Sequence, residues 1–427
     1  MQNNNIKSPL LSSSIDKLRE NSMLLFFLLL AIATTFFSGQ TLAVSFRDFI
    51  IRFFRNFMLI VALILPINAG IGLNFGIVLG ALGSQIALIL VLATGYYQAT
   101  IPSYLFWGGL TIAICIIFGY LLALLFNATK GQEMISGLFV GFLAFGFYMI
   151  VLMVILGGII KLSDPTIVAR YGEPIKTTIN LPPAMLQGLD RLISVPFTWL
   201  IVGAYVCAML IYGVRTVKLV RAKEPILSCA AGLAVLTTAF AFLMLYQPAY
   251  NMFHSFDLPV VTLLLSVLVA LITWWLLKTK LGHDFQAIRN DMHIAASVGI
   301  NVDRTRMIAI ILSTVFAGLG QMVYIQNVGT LMTYGMHNTL STFAIAAILI
   351  GGATIERASL KNAVFGTVLF HCIYSTAPSA TKNLFGNTQV GEYFRLFMCY
   401  GVIAVAVVMF AVKETRAARA KLMEAES

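Results

Sequence analysis

Residues 65–85, LPINAGIGLNFGIVLGALGSQ, are apolar enough to cross a membrane, yet Pro66, Gly70, Gly72, Gly76, Gly80 and Gly83 interrupt them. Asn68, Asn74, Ser84 and Gln85 stand among those interruptions. Backbone that leaves the helical pattern inside a bilayer must find its hydrogen bonds in neighbouring protein or in a wet cavity. Close packing through small residues accounts for the glycines but not for the amides beside them. The stretch therefore predicts an all-helical membrane protein in which a discontinuous helix over 56–94 lines a path.

The surrounding chain agrees. Its 427 residues are 59% hydrophobic and 11% charged, and its mean hydropathy is +0.90. A soluble domain carries about a quarter charged residues, so a water-soluble globule is excluded. An outer-membrane barrel is excluded too, because its alternating strands of about ten residues are absent and the apolar runs are continuous. Those runs lie near 23–44, 56–67, 73–94, 104–126, 134–160, 194–213, 226–247, 257–278, 306–327, 339–355, 361–378 and 390–412. At roughly 20 apolar residues per crossing they predict an all-α, polytopic bundle of about 10–12 spans. The first run, Ser22 to Ala43, is too long for a signal-peptide core and is expected to stay as a span. A second broken helix is expected where Gly351 and Gly352 interrupt a short run.

Charge orients the spans. The formal net charge is +11, and the cations gather on 127–133, 214–225, 279–305, 356–360 and the end beyond 412. Cytoplasmic loops collect Lys and Arg, so these segments and the N-terminus face the cytoplasm, and the charge needs no nucleic acid to explain it. The expected divisions are a cytoplasmic tail over 1–22, a first transmembrane half over 23–160, and an extracytoplasmic insertion over 161–193. Spans over 194–278, a cytoplasmic segment over 279–305, a second half over 306–412 and a tail over 413–427 follow. Two outer segments are also basic. VSFRDFIIRFFRNF, with Arg47, Arg52 and Arg55, is expected to lie in the outer interface with its arginines reaching the headgroups. Residues 161–191 are expected to form a docking or gating element whose backbone the spans do not need.

Catalytic and metal sites are not indicated. Cys115, Cys207, Cys229, Cys372 and Cys399 fall in or beside apolar segments without a CxxC spacing, as small core residues do. His371 is a lone histidine in a span, His254 and His337 fall in outer loops, and neither HExxH nor GxSxG occurs. The acids lie almost wholly in loops; Glu392 and Arg395, one helical turn apart, form the one pair expected within a span. That leaves an ion-coupled carrier, which needs buried carboxylates, as the alternative to a transporter driven by a partner.

In the segment 279–305, Asp284, Ile288, Asp291 and Ala295 recur at helical spacing. Phe285, Ile288, Ile294 and Val298 supply apolar contacts, and Gly299 stands where a helix would end. The segment predicts one short helix along the inner membrane surface. The run 279–329, TKLGHDFQAIRNDMHIAASVGINVDRTRMIAIILSTVFAGLGQMVYIQNVG, resembles the coupling region and next helix of ABC importer permeases of the branched-chain amino acid and ribose type. Thr279, Leu281, Gly282, Ala287, Arg289, Ala295, Ala296, Gly299, Ile300, Arg304, Arg306 and the turn Ala317 to Gly320 carry the likeness. Gln321 and the extra hairpin over 194–247 depart from it.

The resemblance implies a multi-pass subunit of a bacterial cytoplasmic membrane. Its partners would be a cytoplasmic ABC ATPase, a second permease of the same or a homologous sequence, and an extracytoplasmic substrate-binding protein. Gly282, Asp284, Ala287, Arg289, Asp291, Ala295, Ala296 and Gly299 would meet the ATPase. No Walker A loop occurs, so ATP and magnesium belong to that partner and this chain is expected to hold no cofactor. The expected path residues are Asn68, Asn74, Phe75, Ser84, Gln85, Gln321, Tyr324, Gln326, Asn338 and Thr339. Neutral amides and hydroxyls beside aromatic rings suit a neutral polar solute such as a simple sugar or nucleoside. Branched-chain amino acid or riboflavin-type cargo is the alternative within the same class.

Overall fold

The computed structural model describes residues 22–98, 100–152, 154, 164–168, 175–222, 227–254 and 256–426. The tail expected over 1–22 therefore lies, except for Ser22, outside the described residues, as do 155–163 and 169–174 of the first half and the insertion.

Helices α1 (Ser22–Phe37) and α2 (Leu42–Val61) form the first hairpin. A short α3 (Ile64–Asn68), a loop and a 3-10 turn (Phe75–Ile77) lead into α4 (Val78–Ala93). Then come α5 (Thr100–Ala128) and α6 (Glu133–Ile150). After these, β1 (Thr178–Asn180), α7 (Gly188–Leu192) and β2 (Ser194–Pro196) precede α8 (Phe197–Ala222), α9 (Leu227–Leu245) and α10 (Gln247–His254). Next are β3 (Asp257–Pro259) and α11 (Val260–Lys278), then α12 (Lys280–Asn290) and α13 (Met292–Ser297) in the cytoplasmic segment. The second half holds α14 (Val302–Val328), β4 (Thr330–Met332), α15 (Met336–Ile350), α16 (Leu360–Phe385) and α17 (Gln389–Glu426). Eight helices are long and apolar enough to cross a membrane among the described residues. With α1, α9, α15 and α16, each apolar run of the sequence has its helix.

The centre is built on α4 and α14. The crossing Phe75–Ala93 is 78% buried, whereas Phe197–Ala222 is 11% buried and turns apolar side chains outward. Small residues let the central helices approach: Gly80 lies against Ala317 and Gly318, and a Cβ at Gly80 would stand 2.8 Å from that of Ala317. Sequence reading assigned all five cysteines to the core, but Cys207, on the outward-facing α8, is exposed.

Both expected breaks are present. Pro66 cannot continue the hydrogen-bond ladder of α2, and Gly70 and Gly72 take φ of +73° and +79°, which side chains other than glycine rarely adopt. Gly70 is also a point of close approach, since a Cβ there would stand 3.1 Å from the Arg289 Cα. In the second half α15 stops at Gly351, and α16 starts with a capping box between Ser359 and Asn362.

Three expectations change. The arginine-rich stretch 44–57 is not a separate interfacial helix: it is the outer part of α2, which runs unbroken into the bundle because no Gly or Pro interrupts it before Pro66. The coupling segment is two helices rather than one. Asp291 is extended (φ −161°, ψ 116°), and its carboxylate accepts from the His293 and Ile294 amides, capping α13 instead of prolonging α12. The insertion is bound to the spans through backbone. β1 pairs antiparallel with β4, Leu181 N donates to Gly329 O at 3.0 Å, and Gln187 N donates to Gln326 O at 3.0 Å. Its buried Ile179 and Met185 belong to the bundle core.

Candidate functional site

Beside the segment 279–305, Asn68 closes α3 and is buried. Its Nδ2 donates to Ile64 O (2.9 Å) and Ala358 O (2.7 Å), and its Oδ1 accepts from Arg289 Nη1 (3.1 Å). One amide thus joins the first helix break, the loop after the second break, and α12. Asn68 was expected on the path and Arg289 on the ATPase face; the structure brings them into contact. Burial, and then the nearby Arg357, lower the Arg289 pKa from its ordinary value, with Glu356 opposing them.

Of the other residues expected to meet the ATPase, Gly282 is buried against Leu277, Asp284 and Ala287 are half-buried, and Ala295 is buried. Asp291, Ala296 and Gly299 are exposed. Phe285 and Ile288 anchor α12 inward, while Ile294 (63% exposed) and Val298 (71%) face outward from α13. Behind α13 lies a contact that sequence reading missed: Arg306, fully buried on α14, bonds the buried Glu133 at the start of α6. Its Nη1 also reaches Met292 Sδ at 3.4 Å. Glu133 read as a loop acid because nothing local marks a partner so far along the chain.

The interior holds several buried polar groups. Asn74, Ser84, Gln85, Gln321 and Gln326 are fully buried. Both side-chain atoms of Asn74 and of Gln321 lack a protein partner, as do Ser84 Oγ and Gln85 Nε2. Ser84 and Gln321 each stand one turn beyond the close contact of Gly80 with Ala317 and Gly318. Phe75 is half-buried at the entry to α4. Gln85 Oε1 lies 3.2 Å from Nδ1 of His337, whose ring packs between Phe145 and Tyr148. His337, expected in an outer loop, is fully buried in the first turn of α15. Asn338 and Thr339, expected on the path, are exposed, because α15 begins one residue before His337 and turns them outward.

At the opposite end of α14, Asp190 is a hub. Its Oδ1 accepts from Gln326 Nε2 (2.8 Å) and from the Thr262 hydroxyl, and its Oδ2 accepts from Asn327 Nδ2 (2.7 Å). Tyr324 lies beside it with the Arg55 guanidinium over its ring, 4.8 Å from the centroid. Among the described residues no group of three or more His, Cys, Asp or Glu could hold a metal ion.

A helical membrane bundle with two helix breaks, buried unpartnered amides and a bonded joint at α12 has the architecture of a transport permease. The chain belongs to the family described as "Branched-chain amino acid transport system / permease component", whose model matches residues 49–407. It is a multi-pass protein of a bacterial inner membrane. It is similar to the D-allose transport system permease protein AlsC of Escherichia coli, 30% identical over 151 residues, 35% of this chain and 44% of that one. It also resembles the autoinducer 2 import system permease protein LsrC of Shigella flexneri, 30% identical over 103 residues, 24% of this chain and 29% of that one. The guanosine ABC transporter permease protein NupQ of Bacillus subtilis is 31% identical over 91 residues, 21% of this chain and 28% of that one. Each alignment thus spans less than half of the relative's length. No solved structure matches the chain at comparable significance.

Proposed function

We propose that this chain is the permease subunit of an ABC importer that moves a small neutral polar solute, a simple sugar or a nucleoside, into the cell. A partner ATPase binds and hydrolyses ATP with magnesium. The observation that carries this reading is the joint at α12–α13. Its inner side is bonded to the first helix break through Arg289 and Asn68, and its outer side offers Ile294 and Val298 uncovered. Two apolar side chains on a cytoplasmic helix suit a groove on another protein. A push on that face reaches Asn68 and Ala358 directly, and with them both breaks. A second permease and an extracytoplasmic binding protein complete the assembly. Relatives named for allose, guanosine and autoinducer 2 support a polar cargo, and so do the neutral amides of the interior.

The test is reconstitution in proteoliposomes with candidate ABC ATPase and binding-protein subunits from the same genome, using labelled allose and guanosine. ATP-dependent uptake of one of them that survives an uncoupler is expected. Uptake that needs no ATP and collapses with the uncoupler would overturn the reading in favour of ion coupling.

A further inference from the structure

We propose that the outer half of the bundle carries a binding site for a phosphate group, built by Arg52, Arg55 and Arg395 on Tyr324 and Tyr374. The residues come from four helices: α2, α14, α16 and α17. Arg55 lies over Tyr324 (4.8 Å), Arg52 over Tyr374 (5.4 Å), and Arg395 over the same Tyr374 ring (4.0 Å). Arg52 and Arg55 are one turn apart and so share a helix face.

A guanidinium lying over a ring is held by its flat side, which leaves its N–H edge free to bond in the plane. Few acceptors on this face take up those edges. Among the described residues the Arg52 guanidinium makes no hydrogen bond or ion pair, and Arg55 bonds only the neutral Asn327 Oδ1 at 3.2 Å. The Nε atoms of Arg55 and Arg395 and Nδ1 of the buried His371, which neighbours Tyr374, are buried without a protein partner. Two nearby acids already have partners, and Glu392 neutralises Arg395 within the site, which leaves Arg52 and Arg55 as the site's cations without an acid partner among the described residues. Asp190 accepts from Thr262, Gln326 and Asn327, and Glu392 is held by Arg395 at 2.8 and 2.7 Å.

Arg52 and Arg55 stand one turn apart on α2, and neighbouring guanidinium groups among membrane helices repel one another and are costly unless an anion offsets them. A neutral sugar hydroxyl would donate as well as accept, whereas this face supplies mainly donors. A carboxylate is filled by one arginine fork; donors arriving from several directions suit the tetrahedral oxygens of a phosphate. Arginines serving only as packing anchors would not leave buried Nε atoms without partners.

The phosphate could belong to an anionic lipid headgroup or to a free solute, and the inference does not rest on the transport reading. The experiment uses the full chain, with any partners that copurify, in nanodiscs. One arm compares phosphatidylcholine alone with phosphatidylcholine containing phosphatidylglycerol; the other titrates inorganic phosphate into phosphatidylcholine discs. Thermal stability and native mass spectrometry are the readouts. Saturable stabilisation is expected in one arm, with apparent affinity at least about tenfold weaker in R52Q and R55Q. R47Q, an exposed arginine on the same helix, should match wild type. R55K keeps the charge, so it tests the fork should R55Q fail to fold, and it should still bind more weakly. A phosphatidylglycerol response assigns the site to lipid, and a phosphate response to a free solute. No response in either arm, or equal responses in wild type, R52Q and R55K, would overturn the proposal.

Discussion

Arg289 of α12 donates to the Asn68 side chain over 3.1 Å, and the Asn68 amide donates in turn to Ala358 O over 2.7 Å. Both helix breaks therefore answer to one side chain of α12. With the partners reconstituted, N68A and R289A should each lower uptake and uncouple it from ATP hydrolysis while shifting thermal stability little. The double variant should be no worse than either single one, since residues sharing one bond are not additive. Additive losses in a double-mutant cycle would show that the two act separately.

The buried pair Glu133–Arg306 should matter to stability more than to transport. Arg306 is fully buried, and removing one partner leaves an uncompensated charge away from water. E133A should cost about 3–5 kcal/mol, whereas an apolar replacement of both residues should cost much less. Thermal unfolding in a fixed detergent measures both; a milder loss in E133A than in the double variant would contradict the account.

The sequence made some of these features legible and hid others, for physical reasons. A bilayer demands unbroken apolar length, so every crossing appears as a run of residues, and Pro66 and Gly351 mark the breaks because backbone chemistry is local. Side-chain partners are not local. Glu133 and Arg306 are 173 positions apart, and Gln85 and His337 are 252 apart. The arginine stripe of α2 fits an interfacial helix and an inward-facing one equally well. Only Tyr324 and Tyr374, far along the chain, decide which it is. Asp291 was ambiguous in the same way, since an Asp at helical spacing is also a good cap.

Asp164 should make the start of the insertion acid-sensitive. Burial raises its pKa, but hydrogen bonds from the Thr166 hydroxyl and amide and from Tyr97, with the charge of Lys176, outweigh burial and hold it below its ordinary value. A carboxyl with a lowered folded pKa contributes stability above its unfolded value, and that contribution is lost as pH falls through the folded one. The contact to Tyr97 should be intact at neutral pH and released as pH falls through that lowered folded pKa. D164N should loosen it at every pH. Hydrogen exchange at the Thr166 amide, corrected for the intrinsic rate, follows the change; protection equal in D164N and wild type at neutral pH would refute it.

Asn74 and Gln321 decide whether the interior is a path or a dry core. Both are fully buried, and neither side-chain amide finds a protein partner. An amide sealed in a dry core without a partner costs about 1–3 kcal/mol, so replacing it with an apolar residue of similar shape should leave stability unchanged or raise it. An amide that bonds solute or water along an open path contributes to uptake. Gln321→Leu and Asn74→Leu should therefore keep or gain thermal stability while losing uptake. Cysteine at the same positions, in a background without the five native cysteines, should react with a small water-soluble thiol reagent to a degree that changes with nucleotide state. Full uptake in both leucine variants, together with no labelling in any state, would place these amides in the packing of the bundle and move the path elsewhere.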